Sequence, residues 1–245
     1  GNAEQNAESG IGVDDDPIRR RSMLRKHLIQ AVAAFIFACT LAAPTHAQTD
    51  SGFHFFWKKD NSRGLLESYG VELDGNGNGQ FYFNKRNEDE IRSQVTLRAS
   101  AMQTLRALFE KADFLNESRD FVSQRKVADM GLKTVRFGTG SKQREVAYNY
   151  TEDRALQEIT TFFENLCQQE RALFEMDLAL KYDRLGIPKK LDELDSSLNA
   201  KRVVAPERFA PVLERIYADQ TLMNLARKEA KKLLVRIEKM KTFSN

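Results

Sequence analysis

Apolar positions change period along the chain, and each change marks an element. In Ser68–Leu73, Tyr69, Val71 and Leu73 alternate with polar neighbours, and in Gln80–Phe83, Phe81 and Phe83 do the same. A period of two predicts half-buried strands. The aromatic run Phe53-His54-Phe55-Phe56-Trp57 reads as a strand beside them, and Ile91–Leu97 as one more. Asp74-Gly75-Asn76-Gly77-Asn78-Gly79 is made of residues that tolerate positive φ and predicts a hairpin turn. The period then lengthens. Leu97, Met102, Leu105, Leu108, Phe109 and Phe114 predict an amphipathic helix over 99–113, with Ser100 as a cap near its start.

The pattern then recurs. Leu132–Phe137 and Glu145–Tyr150 predict two strands around Gly138-Thr139-Gly140-Ser141. A long helix follows from Asp153 to Leu185, carried by Leu156, Ile159, Phe163, Leu166, Cys167, Leu173, Leu180 and Leu185, and ended by Gly186-Ile187-Pro188. Strand–strand–helix occurring twice predicts an α+β domain over 50–185: an antiparallel sheet with helices on one face. Beyond it, 189–199, 206–217 and 219–242 read as helices, giving a helical C-terminal region over 188–242. Pro206 and Pro211 mark the start of the middle one. In the last helix Leu222, Ala226, Ala230, Leu233, Ile237 and Met240 line one stripe. Arg227, Lys228, Lys231, Lys232 and Lys239 sit mostly opposite.

Ahead of the domain, Met23–Ala47 has the form of a secretory signal peptide. Arg25, Lys26 and His27 make a basic head, Leu28–Ala43 is apolar apart from Gln30 and Thr40, and Pro44-Thr45-His46-Ala47 offers a cleavage site between Ala47 and Gln48. The apolar run falls short of the ~20 uninterrupted residues of a bilayer span, which favours a cleaved signal over an anchor. Polar residues 1–22 cannot bury a core and read as a disordered extension or a mistranslated upstream segment. The expected location is therefore periplasmic or secreted. Cleavage removes Cys39 and leaves Cys167 alone, so an internal disulfide is excluded and the apolar core must hold the fold. Cys167 falls on the apolar side of its helix, as a buried thiol does. Residues 48–245 carry 33 Lys and Arg against 30 Asp and Glu, and 219–245 alone carry seven against three. Attraction to an anionic partner is thus expected from the C-terminus.

Several chemistries find no support. Asp74-x-Asn76-x-Asn78-Gly79 matches the first half of a calcium loop, but the twelfth position, which needs a bidentate Glu, is Lys85. Gly138–Lys142 lacks the spacing of a phosphate loop and reads as a turn. His54 is the one histidine after the signal, and Cys167 the one cysteine, so neither a metal site nor a His-based nucleophilic site is expected. Asp113, Asp129 and Asp153 lie near element ends, where caps and turn formers are found. Phe53, Phe55, Phe56, Trp57, Phe81, Tyr82 and Phe83 read as sheet core before they read as a stacking platform. Asn116-Glu117-Ser118 and Asn149-Tyr150-Thr151 fit the glycosylation triplet, which matters only in a eukaryotic secretory route. No cofactor is implied, and a nearly neutral exported chain gives no reason to expect nucleic acid.

One stretch carries a resemblance. Leu105-Arg106-Ala107-Leu108-Phe109-Glu110-Lys111-Ala112-Asp113-Phe114 is followed by Ala128-Asp129 and then by a hairpin from Val135-Arg136-Phe137-Gly138-Thr139-Gly140 to Val146. It resembles a small exported bacterial domain family of unknown function, and also emfourin-type protein inhibitors of metalloproteases. The resemblance covers about residues 50–166, leaves the tail 189–242 outside it, and implies an interaction role. The leading expectation is an exported, non-enzymatic protein that binds another protein, as a protease inhibitor or an envelope assembly factor. Two alternatives stand beside it: a carboxylate enzyme acting on an envelope polymer, and a membrane-surface protein using the basic C-terminal helix on an anionic surface.

Overall fold

The computed structural model describes residues 52–242, within a compact unit that spans Asp50–Asn245. The signal segment and the Ala47/Gln48 junction lie outside the described residues. The strands are β1 (Phe53–Asp60), β2 (Leu66–Asp74), β3 (Asn78–Lys85), β4 (Ile91–Thr96), β5 (Leu132–Thr139) and β6 (Lys142–Tyr148). Helix α1 (Ala99–Lys111) separates β4 from β5. After β6 come α2 (Arg154–Tyr182), α3 (Ile187–Asn199), α4 (Ala210–Ala218) and α5 (Asn224–Thr242), with 3₁₀ turns at Arg184–Gly186 and Pro206–Phe209. The fold is α+β. Four strands precede the first helix and two precede the second, so its two strand-to-helix halves are unequal.

All six strands pair antiparallel in the order β4-β3-β2-β1-β5-β6. Register puts the alternating apolar residues on one face: Phe55 stands between Leu73 and Phe137, and Trp57 between Val71 and Val135. Phe81, Phe83, Val95, Val146 and Tyr148 join the same core beneath α1 and the first half of α2. The opposite face carries His54, Glu72, Arg92, Glu145 and Ala147, all exposed. Phe56 and Tyr82 also point that way. Phe56 lies under the Arg136 guanidinium at 4.8 Å, and Tyr82 lies under Arg92 at 5.5 Å.

Several predicted boundaries move, each for a local reason. Strand β6 stops at Tyr148 because the Asn149 side chain turns back to the preceding loop. Its Oδ1 accepts from Met130 N at 2.7 Å and its Nδ2 donates to Ala128 O at 2.9 Å. Ser100 is not the cap of α1: Arg98 holds that position without a side-chain bond, and Ser100 sits inside the first turn. Helix α2 ends at Tyr182 rather than Leu185, because the Asp183 side chain accepts from Gly186 N and closes a 3₁₀ turn. The final helix begins at Asn224 rather than 219. Asp219 Oδ1 accepts from Thr221 N at 2.9 Å, an Asx-turn that interrupts the helical path.

Two apolar cores result, and α2 runs through both. Its Ala155–Cys167 portion packs under the sheet, while Met176 and Ala179 pack with Ile187, Leu191, Leu194, Leu198, Phe209, Leu213, Ile216, Leu233 and Ile237 of the helical region. A polar clamp ties the cores at the middle of α2. Glu170, 2% exposed, receives Arg208 Nε and Nη2 at 2.7 Å each and Gln169 Nε2 at 2.9 Å. Arg208 also donates to Gln94 O at 3.0 Å on the β4 edge, and Gln169 Oε1 accepts from Ala205 N at 2.7 Å.

Candidate interaction surface

The turn sequences and aspartates weighed for chemistry take part in turns, caps and ion pairs. Asp74 Oδ1 accepts from Asn76 N at 2.8 Å and Asn78 N at 2.9 Å, and Gly77 has φ +86°, so the calcium-like sequence is the β2–β3 turn. Lys85, at its twelfth position, faces Glu88 at 3.4 Å. Gly140 and Ser141 form the two-residue β5–β6 turn, with Gly140 at φ +57°. Asp153 caps α2 through Leu156 N at 2.8 Å and pairs with Arg119 at 2.7 Å. Burial alone would raise its pKa; the Arg119 and Leu156 hydrogen bonds outweigh that and hold it below the usual carboxylate range. Asp129 bonds Ser62 and Gly131 N, which lower its pKa. Asp113, at φ +45°, accepts from Asn116 Nδ2 at 2.8 Å. His54 sits exposed on the outer sheet face, across from Asp74 and Gly138.

Cys167 is buried, and desolvation, with Glu170 and Glu164 nearby, pushes its thiol well above the ordinary value. Tyr148, buried with its hydroxyl against Thr160, is pushed up to about 12. A cleft of ≈ 180 Å³ between α2 and α3 is lined by two carboxylates, Glu175 and Glu193; others are lined by Glu170 and Asp177, and by Asp120, Glu152 and Asp153. Lys190 pairs with Glu175 at 2.7 Å and with Glu193 at 3.3 Å. Among the described residues no group of three or more His, Cys, Asp or Glu is placed to hold a metal ion.

Two further cations, unremarked in the sequence, brace the loop between α1 and β5. Arg144 donates to Phe114 O at 3.0 Å and Arg119 O at 2.6 Å, and its guanidinium lies 4.9 Å over Phe121. Lys133, 7% exposed, donates to Asn149 O at 2.9 Å and Gly131 O at 3.1 Å. Burial, with Lys59 beside it, lowers its pKa.

The five basic residues of the last helix do not act alike. Arg227 turns inward and donates to Tyr217 O at 3.1 Å. Lys231 lies over the Tyr217 ring at 5.4 Å, and Lys232 pairs with Glu229 at 2.9 Å. Lys228 and Lys239 project into solvent. The inward stripe is Ala226, Ala230, Leu233 and Ile237. Leu222 is buried but precedes the helix, and Met240 is exposed.

A surface that the helical spacing misassigned lies where α2 stops. Leu185, expected on the buried stripe, is 81% exposed, and Tyr182 is 80% exposed. Arg184 bonds Asp219 and Thr221, which brings this end beside the turn before α5, where Met223 is 46% and Leu225 68% exposed. Tyr182 and Leu185 are thus exposed where α2 ends, and Met223 and Leu225 where α5 begins. The signal that could have found Leu185 is local: Asp183 and Gly186 close a turn that takes Leu185 off the helical stripe. Among the described residues no helix is long and apolar enough to cross a membrane. No protein-family model and no curated protein sequence matches this chain.

Proposed function

We propose that this is an exported, non-enzymatic protein that binds another protein, and that the partner seats on the apolar tip formed by Tyr182, Leu185, Met223 and Leu225. The observation that carries the reading is their exposure: large apolar side chains left in water at well-packed helix ends are a feature of binding surfaces. Tyr182 supplies the amphipathic ring favoured at such contacts. Export is supported by the Met23–Ala47 pattern. Inhibition of a metalloprotease is the form of binding that the resemblance over about residues 50–166 suggests, and assistance in envelope assembly is the other.

The test compares immobilised residues 48–245 with the Tyr182→Ala/Leu185→Ala double variant in pull-downs from the exported fraction of the source cell. Substitutions at such exposed sites leave stability within about 0.5 kcal/mol, so a lost partner reads as a lost contact. A stoichiometric partner retained by the wild type and missing from the variant is the expected outcome. Equal recovery by both, or none by either, overturns the reading.

A further inference from the structure

The outward face of α5 has a different chemistry from the tip. Val235 is 50% exposed. Its neighbours one turn away are Lys231, Lys232 and Lys239, with Glu238 at the border, and Lys228 lies two turns back on the same face. Glu238 bonds Lys241 at 2.7 Å and Glu229 bonds Lys232 at 2.9 Å. On the neighbouring α3, Asp195 is taken by Arg236 at 2.8 Å. The face therefore keeps a net positive charge, with Lys228 and Lys239 as its free ends, about 16 Å apart at 1.5 Å per residue.

We propose that this face docks the protein on an anionic phospholipid surface. Charge complementarity calls for an anion, and three features favour lipid over an acidic protein. Protein interfaces are depleted in lysine and enriched in arginine and aromatics, whereas this face is built from lysine. Lysine is a hydrated point charge on a flexible stem and suits a fluid array of phosphates. The face is also the outward side of a helix, with Val235 exposed among the cations. Ala226, Ala230, Leu233 and Ile237 are committed to the helical core, so the helix cannot turn an apolar side to the acyl chains. Docking is electrostatic and peripheral, and it decays with salt as the Debye length shortens.

The test is vesicle co-sedimentation of residues 48–245, which hold both apolar cores within one compact unit. Phosphatidylcholine vesicles with about 30% phosphatidylglycerol are compared with pure phosphatidylcholine, since each lysine near an anionic surface strengthens binding several-fold. Binding to the anionic vesicles alone, lost between about 0.05 and 0.5 M salt, is expected. Lys228→Glu/Lys239→Glu should lower the partition coefficient at least ~10-fold. Lys126→Glu/Lys142→Glu makes the same net charge change at exposed sites away from α5 and should leave it unchanged. Equal binding to neutral vesicles, equal loss in both variants, or no binding at low salt overturns the proposal. So does salt-sensitive capture of an acidic protein through Lys228 and Lys239 without vesicle binding, which assigns the face to a protein. Tyr182→Ala/Leu185→Ala should leave vesicle binding intact, so failure of the tip and failure of this face are read separately.

Discussion

The core under the sheet is aromatic: Phe55, Trp57, Phe81, Phe83, Phe109, Phe114, Phe121, Phe137, Tyr148 and Phe163 are all buried there. The core among α3, α4 and α5 buries Phe209 and is otherwise Leu, Ile, Val, Ala and Met. The first is a lattice of ring contacts, with Phe109 stacked on Phe137 at 4.5 Å and Trp57 parallel to Phe163 at 6.2 Å. Offset and edge contacts of this kind add about 0.5–1.5 kcal/mol per pair beyond area burial. The second relies on small residues, Ala226 and Ala230, that let α5 approach its neighbours. Cys167 is a free, buried thiol, so among the described residues no disulfide shares the load, and the aromatic lattice carries it. The helical core leaves its helix ends free to carry surface. The comparison teaches that the sheet half is held by ring contacts and the helical half by aliphatic packing, with α2 and the Glu170–Arg208 clamp making them one body.

That division can be broken at graded points. Trp57→Ala removes the largest fully buried side chain of the sheet core and should cost about 3–5 kcal/mol in denaturant unfolding. Arg208→Met should cost about 3–5 kcal/mol as well, because it strands the Glu170 carboxylate without its cation. Glu170→Met/Arg208→Met should recover most of that loss, since an apolar pair needs no compensation; failure to recover would mean that Arg208 acts mainly through Gln94 on the β4 edge. Leu213→Ala in the helical core should cost about 2–5 kcal/mol. Because α2 is shared, the wild type should unfold in one transition by both near-UV and far-UV probes.

The smaller effects sharpen the account at α2. Asp153→Ala should cost about 1 kcal/mol as a lost N-cap. Asp153→Asn keeps a capping oxygen but not the charge. With its pKa below the unfolded value of about 3.9, Asp153 contributes stability that is present above that pH and is lost as pH falls through the folded value. The asparagine variant should therefore show a shallower loss of stability below about pH 4. Cys167, buried with a raised pKa, should resist thiol reagents in the native state and react on unfolding. Rapid native labelling would mean that the middle of α2 opens.

How much of this was legible followed the range of the interactions. Period-two runs such as Tyr69-Val71-Leu73 and the helical spacing of Leu156, Ile159 and Phe163 report local geometry, and each lies in the expected element facing the core. The turn at 74–78 was legible because Asp, Asn and Gly bond their own backbone. Positions 219–223 were misread as helix because Leu222 keeps the apolar spacing even though the Asp219 Asx-turn redirects the chain. Leu185 was misread for the same reason. The clamp was not legible at all: Glu170 and Arg208 are 38 residues apart, and no local pattern pairs them. The basic helix was legible as composition, but the inward turn of Arg227 to Tyr217 depends on α4 packing.

The most direct test of the central claim places a photo-crosslinking amino acid at Leu185 on the tip and, separately, at Leu65 in the β1–β2 turn, where an apolar side chain is comparably exposed at 72%. Irradiation of each protein in the source cell should give one discrete adduct from position 185 and none from position 65. Adducts from both positions, or from position 65 alone, would contradict the assignment of partner binding to the helical tip.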